Sequence, residues 1–100
     1  MNDSPPLELP ELHSGDLDAA TLAALIDDLE RHAVVLDVLV KGAPGAHVSP
    51  TPVPLREAWL QLISRTVRGV QVRYLWQGAE WRDTLMLVPG AVRVVRMRMP

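Results

Sequence analysis

The stretch Val70-Gln71-Val72-Arg73-Tyr74-Leu75-Trp76-Gln77-Gly78-Ala79-Glu80-Trp81-Arg82-Asp83-Thr84-Leu85 decides the fold of this chain. Its large side chains alternate on either side of a glycine-containing turn. Alternation of this kind marks a β-hairpin, because successive strand residues project to opposite faces. A second turn, Pro89-Gly90, leads into another apolar and basic run over residues 91–99. Residues 70–99 therefore read as a three-stranded β-meander.

Gly78-Ala79 suits a two-residue turn with glycine first, a type II′ geometry that matches strand twist. That register sets Trp76 opposite Trp81, Tyr74 opposite Asp83, Val72 opposite Leu85 and Val70 opposite Leu87, all on one face. The other face sets Leu75 opposite Arg82, Arg73 opposite Thr84 and Gln71 opposite Met86. The first face is the more apolar and is the one expected beneath helices. At the second turn, a plain Pro89-Gly90 connection pairs Leu87 with Val92, Leu85 with Val94 and Asp83 with Arg96. An L-Pro-Gly type II turn fits hairpin twist poorly, so a bulge that slips this register by one is the competing expectation.

Working back toward the amino terminus, residues 33–40 form a nearly continuous aliphatic run, the pattern of a buried strand. Val34, Leu36, Val38 and Val40 share its apolar face, and Asp37 lies on the other, where a neighbouring arginine is expected to meet it. Before it, Leu22, Leu25, Ile26 and Leu29 recur at helical spacing, with Arg31 and His32 in the last turn. Ser14-Gly15-Asp16 reads as the start of that helix, with Asp16 as N-cap and Asp18 in the first turn. After the strand, residues 41–54 form a loop with Pro44, Pro50, Pro52 and Pro54. It lacks the spaced glycines of a phosphate-binding loop. A second helix follows Pro54, with Leu55, Ala58, Trp59, Leu62 and Thr66 on one side and Gly69 as its stop.

The fold class expected is α+β: two helices on one face of a four-stranded mixed sheet, in the order α-β-α-β-β-β. The connection through the second helix is expected to be a right-handed crossover if the strands it joins are parallel. Residues 14–100 make one domain. Residues 1–13, with Pro5, Pro6 and Pro10 among acids, read as a flexible leader.

A chain of 100 residues with 48% hydrophobic and 22% charged residues can bury a core unaided. With four aromatics and no Phe, that core is mainly Val, Leu and Ala. Absence of cysteine excludes disulfides, thiolate catalysis and cysteine-ligated metals. No basic segment precedes an apolar stretch at the amino terminus, and no apolar run is long enough to span a bilayer. A soluble cytoplasmic protein without a membrane role is the default. The net charge of −2 conceals a division: residues 1–40 hold nine acids against Arg31, while residues 41–100 hold nine bases against Glu57, Glu80 and Asp83. An acidic helix lying near a basic sheet would cancel the two fields.

Chemistry-bearing candidates are few. Tyr74, Asp83 and Arg96 fall in one row across the meander and are capable of acid–base work. With no nucleophile, metal or second carboxylate beside them, they read better as a polar plug at the core's edge. His13, His32 and His47 lack ligand spacing, so no metal or other cofactor is expected. Ser64 and Thr66 sit mid-helix without a spaced His–acid set. Arg73, Arg82, Arg93, Arg96 and Arg98 raise a nucleic-acid alternative, against which stand a pI near 5.8 and a single lysine.

The run over residues 73–85 looks like small accessory proteins encoded beside metalloenzymes such as bacterial nickel–iron hydrogenases. That resemblance covers under a third of the chain, includes no ligand or catalytic motif and transfers no functional residue. It implies a role in assembly or maturation of such an enzyme. The residues point the same way, to a non-enzymatic accessory domain that binds a protein partner. Arg73, Leu75, Trp76, Trp81, Arg82 and Met86, at the hairpin tip and on the uncovered sheet face, are the candidate contacts. Self-association of that face into a homodimer is the variant of this reading.

Overall fold

The structure, a computed structural model, describes residues 12–42 and 53–100. Seven elements run in the order β1 Leu12–Leu17, α1 Ala19–His32, β2 Val34–Lys41, α2 Leu55–Ile63, β3 Gly69–Trp76, β4 Ala79–Val88 and β5 Ala91–Arg98. The strands form one sheet in the order β1-β5-β4-β3-β2, antiparallel at every pairing. The class is α+β with two helices, as expected. The sheet has five strands rather than four, and it is not mixed.

The added strand is β1. Ser14, Gly15 and Asp16 do not begin a helix; they pair with Val95, Val94 and Arg93 of β5. Asp16 spends its carboxylate on Arg93, whose Nε and Nη2 donate to it at 2.8 and 3.3 Å. The N-cap is Asp18, which accepts from the Thr21 backbone N–H at 2.8 Å. These backbone and side-chain hydrogen bonds hold its carboxyl below the usual range. Residues 12 and 13, expected in the leader, belong to β1; the expectation for residues 1–11 lies outside the described residues, as does that for most of the proline-rich loop, residues 43–52.

β1 and β2 point the same way from opposite edges of the sheet. Four strand spacings of about 4.8 Å separate them by about 19 Å. The 14 residues of α1 span about 21 Å, so one helix crosses the sheet and covers it. β2 is antiparallel to its neighbour β3, so α2 is an excursion between adjacent antiparallel strands, and the crossover expected through the second helix does not arise. α2 stops at Ile63, with Ser64 as C-cap and Arg65 at φ 64°. Gly69, expected to end this helix, opens β3 instead, and Thr66 is exposed.

Both helices pack on one face. Leu22, Leu25, Ile26 and Leu29 of α1 and Leu55, Ala58 and Leu62 of α2 meet Val38, Val70, Val72, Leu85, Val92 and Val94 of the sheet. Each such side chain contributes about 1.5–3 kcal/mol when fully buried. Within β2 a bulge between Val35 and Asp37 reverses the alternation. Val35, Val38 and Val40 turn to the core, whereas Val34 and Leu36 are exposed. The uniform apolar face expected over Val34, Leu36, Val38 and Val40 is therefore split by one inserted residue.

The first hairpin turns at Gln77-Gly78, one residue earlier than expected. Gln77 has φ 51° and Gly78 φ 77°, the two positive values of a type I′ turn. Every pair shifts by two: Trp76 meets Ala79, Tyr74 meets Trp81, Val72 meets Asp83, and Val70 meets Leu85. A shift of two keeps each side chain on its face, so the division into inner and outer faces stands. At the second turn, Gly90 takes φ 77° and the plain register holds, with Leu85 opposite Val94 and Asp83 opposite Arg96. No bulge is needed there.

Candidate partner-binding face

The faces of the meander separate the six candidate contacts into two groups. Arg73, Leu75, Arg82 and Met86 stand on the outer face, away from the helices. Trp76 and Trp81 stand on the covered face and pack in the core. The two indoles lie edge to face with centroids 6.2 Å apart, and the Trp81 Nε1 donates to the Trp76 carbonyl at 3.4 Å. Arg98 lies over the Trp81 ring at 6.0 Å. Trp81 is buried and Trp76 partly buried against the core.

Tyr74, Asp83 and Arg96 do come together, at 1%, 0% and 4% exposure. The Arg96 Nε and Nη2 donate to Asp83 Oδ1 and Oδ2 at 2.8 and 2.7 Å, and the Tyr74 hydroxyl donates to Oδ1 at 2.9 Å. Asp83 thus accepts a two-pronged arginine contact plus a phenol. Burial works against the Arg96 charge, but its hydrogen bonds to Asp83 and the carboxylate's field more than offset this and keep it protonated. Burial, followed by the neighbouring carboxylate, pushes the Tyr74 phenol far above its ordinary value. A sealed phenol and ion pair cannot reach a substrate. The cluster closes the core beneath Trp81 and the β5 end of the sheet.

One consequence is measurable at high pH. Tyr74 is the only tyrosine in the chain, so phenolate absorbance reports it alone. Its folded-state proton is held more tightly than the unfolded one, whose pKa is near 10.0. Above that value the unfolded state binds fewer protons than the folded state, so stability falls as pH rises, by up to about 1.4 kcal/mol per pH unit. Phenolate absorbance is expected to appear together with loss of far-ultraviolet circular dichroism. Tyr74→Phe should lose this component of the alkaline slope. A phenol that titrates near its ordinary value in the folded protein would contradict the sealed geometry.

The outer face is different in kind. The helices leave it open, and its rows follow from the observed register. Arg73 stands opposite Arg82, Gln71 opposite Thr84 and Leu75 opposite Glu80. Across the next pairing, Arg82 meets Met97, Thr84 meets Val95 and Met86 meets Arg93. Leu75, Met86 and Met97 are 42%, 39% and 41% exposed, and Val34, opposite Leu75, extends the apolar surface onto β2. Met97 and Val95 were within reach of sequence reading, since Arg93, Val95 and Met97 alternate onto the face shared by Met86 and Arg82.

The charges on this face are unevenly satisfied. Arg93 pairs with Asp16, and the Arg73 Nε lies 3.5 Å from Glu80 Oε2. Asp37 stands opposite Arg73 in the register, but among the described residues no ion pair joins them, and Arg73 pairs with Glu80 instead. Arg82 reaches only the Met99 sulfur, at 3.4 Å from Nη2, and its buried Nε has no acceptor among the described residues. All four aromatics of the chain are described: Trp59 lies on α2, while Tyr74, Trp76 and Trp81 lie on the covered sheet face. No aromatic stands on the outer face to stack a base.

Acidic and basic halves of the chain are tied by Arg56–Glu30 between the helices and Arg93–Asp16 between β5 and β1. These pairs offset part of the charge division. Among the described residues, no three His, Asp or Glu side chains gather into a metal-binding group, and no helix is long and apolar enough to cross a membrane. No protein-family model, curated protein or solved structure matches the chain.

Proposed function

We propose that this chain is a small non-enzymatic protein-binding domain that takes a protein partner on the outer face of its sheet. The observation that carries this reading is three half-exposed apolar side chains, Leu75, Met86 and Met97, spread over different cross-strand rows among arginines on a sheet face that neither helix covers. Methionine and arginine are enriched at protein interfaces and lysine is depleted. The chain has one lysine, Lys41, at the end of β2. An assembly or maturation role for a larger enzyme, the role implied by the hairpin's resemblance, fits a domain of this kind. The absence of any aromatic on the face speaks against the nucleic-acid alternative, since single strands are held largely by base stacking.

The test is a double substitution, Leu75→Glu with Met86→Glu. Both residues are partly solvated, so the fold should tolerate the change, and circular dichroism should match wild type. Affinity capture from the source cells should lose its protein partner in the double variant, because two buried carboxylates without partners would face apolar groups. A partner retained by the double variant sinks the reading. Light scattering is run alongside: a wild-type dimer that becomes monomeric on substitution would identify a second copy of the chain as the occupant.

A further inference from the structure

Arg73 of β3 and Arg82 of β4 stand directly opposite each other on the open face. Like charges at directly opposed positions repel and destabilise a sheet. Intramolecular compensation is uneven: Arg73 has Asp37 opposite it in the register and Glu80 at 3.5 Å, whereas no carboxylate among the described residues pairs with Arg82. The Arg82 Nε is buried and lacks an acceptor among the described residues, an arrangement that costs stability. Gln71 and Thr84, the next cross-strand pair, add polar groups beside the arginines. The middle of the face thus carries an uncompensated cation at Arg82 beside polar groups, with Leu75 and Met97 next to the arginine pair and Met86 further along β4.

Resting on the protein-binding reading above, we infer that the partner is an acidic, aliphatic protein segment whose carboxylate enters between Arg73 and Arg82. Arginine's planar fork suits two-pronged carboxylate recognition, and a carboxylate here would quench the repulsion between the two guanidinium groups. A second copy of this chain is a poorer occupant, because face-to-face pairing about a two-fold axis near the centre would bring four arginines together. A nucleic acid would find cations but no stacking surface.

The full-length chain, labelled with 15N, is titrated with two amphipathic peptides that differ only in glutamate against glutamine on the polar side. A short uridine oligomer is titrated beside them. The glutamate peptide is expected to bind about tenfold more tightly, to shift the Arg73, Arg82 and Thr84 resonances, and to weaken as salt rises. Arg73→Gln with Arg82→Gln should abolish the preference while leaving the thermal midpoint equal to or above wild type. Equal binding of both peptides, kept in the glutamine variant but lost in Leu75→Glu/Met86→Glu, overturns the carboxylate inference and leaves the protein-binding reading standing. Binding of neither peptide, together with a captured partner indifferent to all four substitutions, overturns both. Resonance shifts caused by the oligomer alone would replace the protein segment with nucleic acid.

Discussion

Asp83→Asn should lower the thermal midpoint by about 12 °C or more, followed by far-ultraviolet circular dichroism. The substitution keeps the shape of the side chain and removes its charge. It leaves the Arg96 guanidinium buried at 4% exposure with no carboxylate from residue 83, and deprives the Tyr74 hydroxyl of its anionic acceptor. Breaking one partner of a buried pair costs about 3–5 kcal/mol. A domain of this size has about 5–15 kcal/mol in total and loses about 4–8 °C per kcal/mol. The cost comes from removing the residue 83 carboxylate beside a buried cation rather than from the net worth of the pair, and a second variant separates the two. Tyr74→Phe with Asp83→Leu and Arg96→Met removes every member, and it should recover most of the lost midpoint. A triple variant as unstable as Asp83→Asn would show that the cluster's hydrogen bonds are themselves stabilising.

Trp81→Ala should cost about 3–5 kcal/mol, the range for truncating a large aromatic in a core. Trp81 is 8% exposed and packs edge to face on Trp76 beneath the helices. Denaturant titration should show the midpoint falling with little change in slope, the mark of a less stable fold with the same surface buried. This outcome bears on how binding is assayed: loss of a partner in a Trp81 variant would follow from unfolding, whereas Leu75 and Met86 can be changed without touching the core. A Trp81→Ala chain of wild-type stability that nonetheless fails to bind would return the indole to the interface.

The strands of the meander and their two faces are legible in the sequence because side-chain alternation has a period of two. The hairpin turn moved by one residue, from Gly78-Ala79 to Gln77-Gly78, and each pairing moved by two, yet no side chain changed face. The helical stripes are legible for a similar reason: Leu22, Leu25, Ile26 and Leu29 carry their period locally, whatever they pack against. The place of the second turn is readable from Pro89-Gly90, but its register stays open between a plain turn and a one-residue slip until the β4–β5 pairing decides for the plain one.

What sequence alone misplaced depends on partners distant in the chain. Ser14-Gly15-Asp16 resembles a helix start by composition, and it becomes a strand because β5 would otherwise be left as an unpaired edge. The bulge in β2 exposes Leu36 and turns Val35 inward, a choice made by packing rather than by the run of aliphatics. The candidate site shows the same division. Membership of Arg73, Leu75, Arg82 and Met86 in one face was readable from alternation. Trp76 and Trp81 likewise fall on the face expected beneath helices; that Trp81 is buried there, and that Arg73 faces Arg82 rather than Thr84, depended on packing and on the register of one turn. Periodicity sets which side of an element a residue occupies, because it is a property of the local backbone. Which residue stands opposite it, and whether that side is covered, is decided only when elements far apart in sequence compete for the same apolar surface and the same backbone hydrogen bonds.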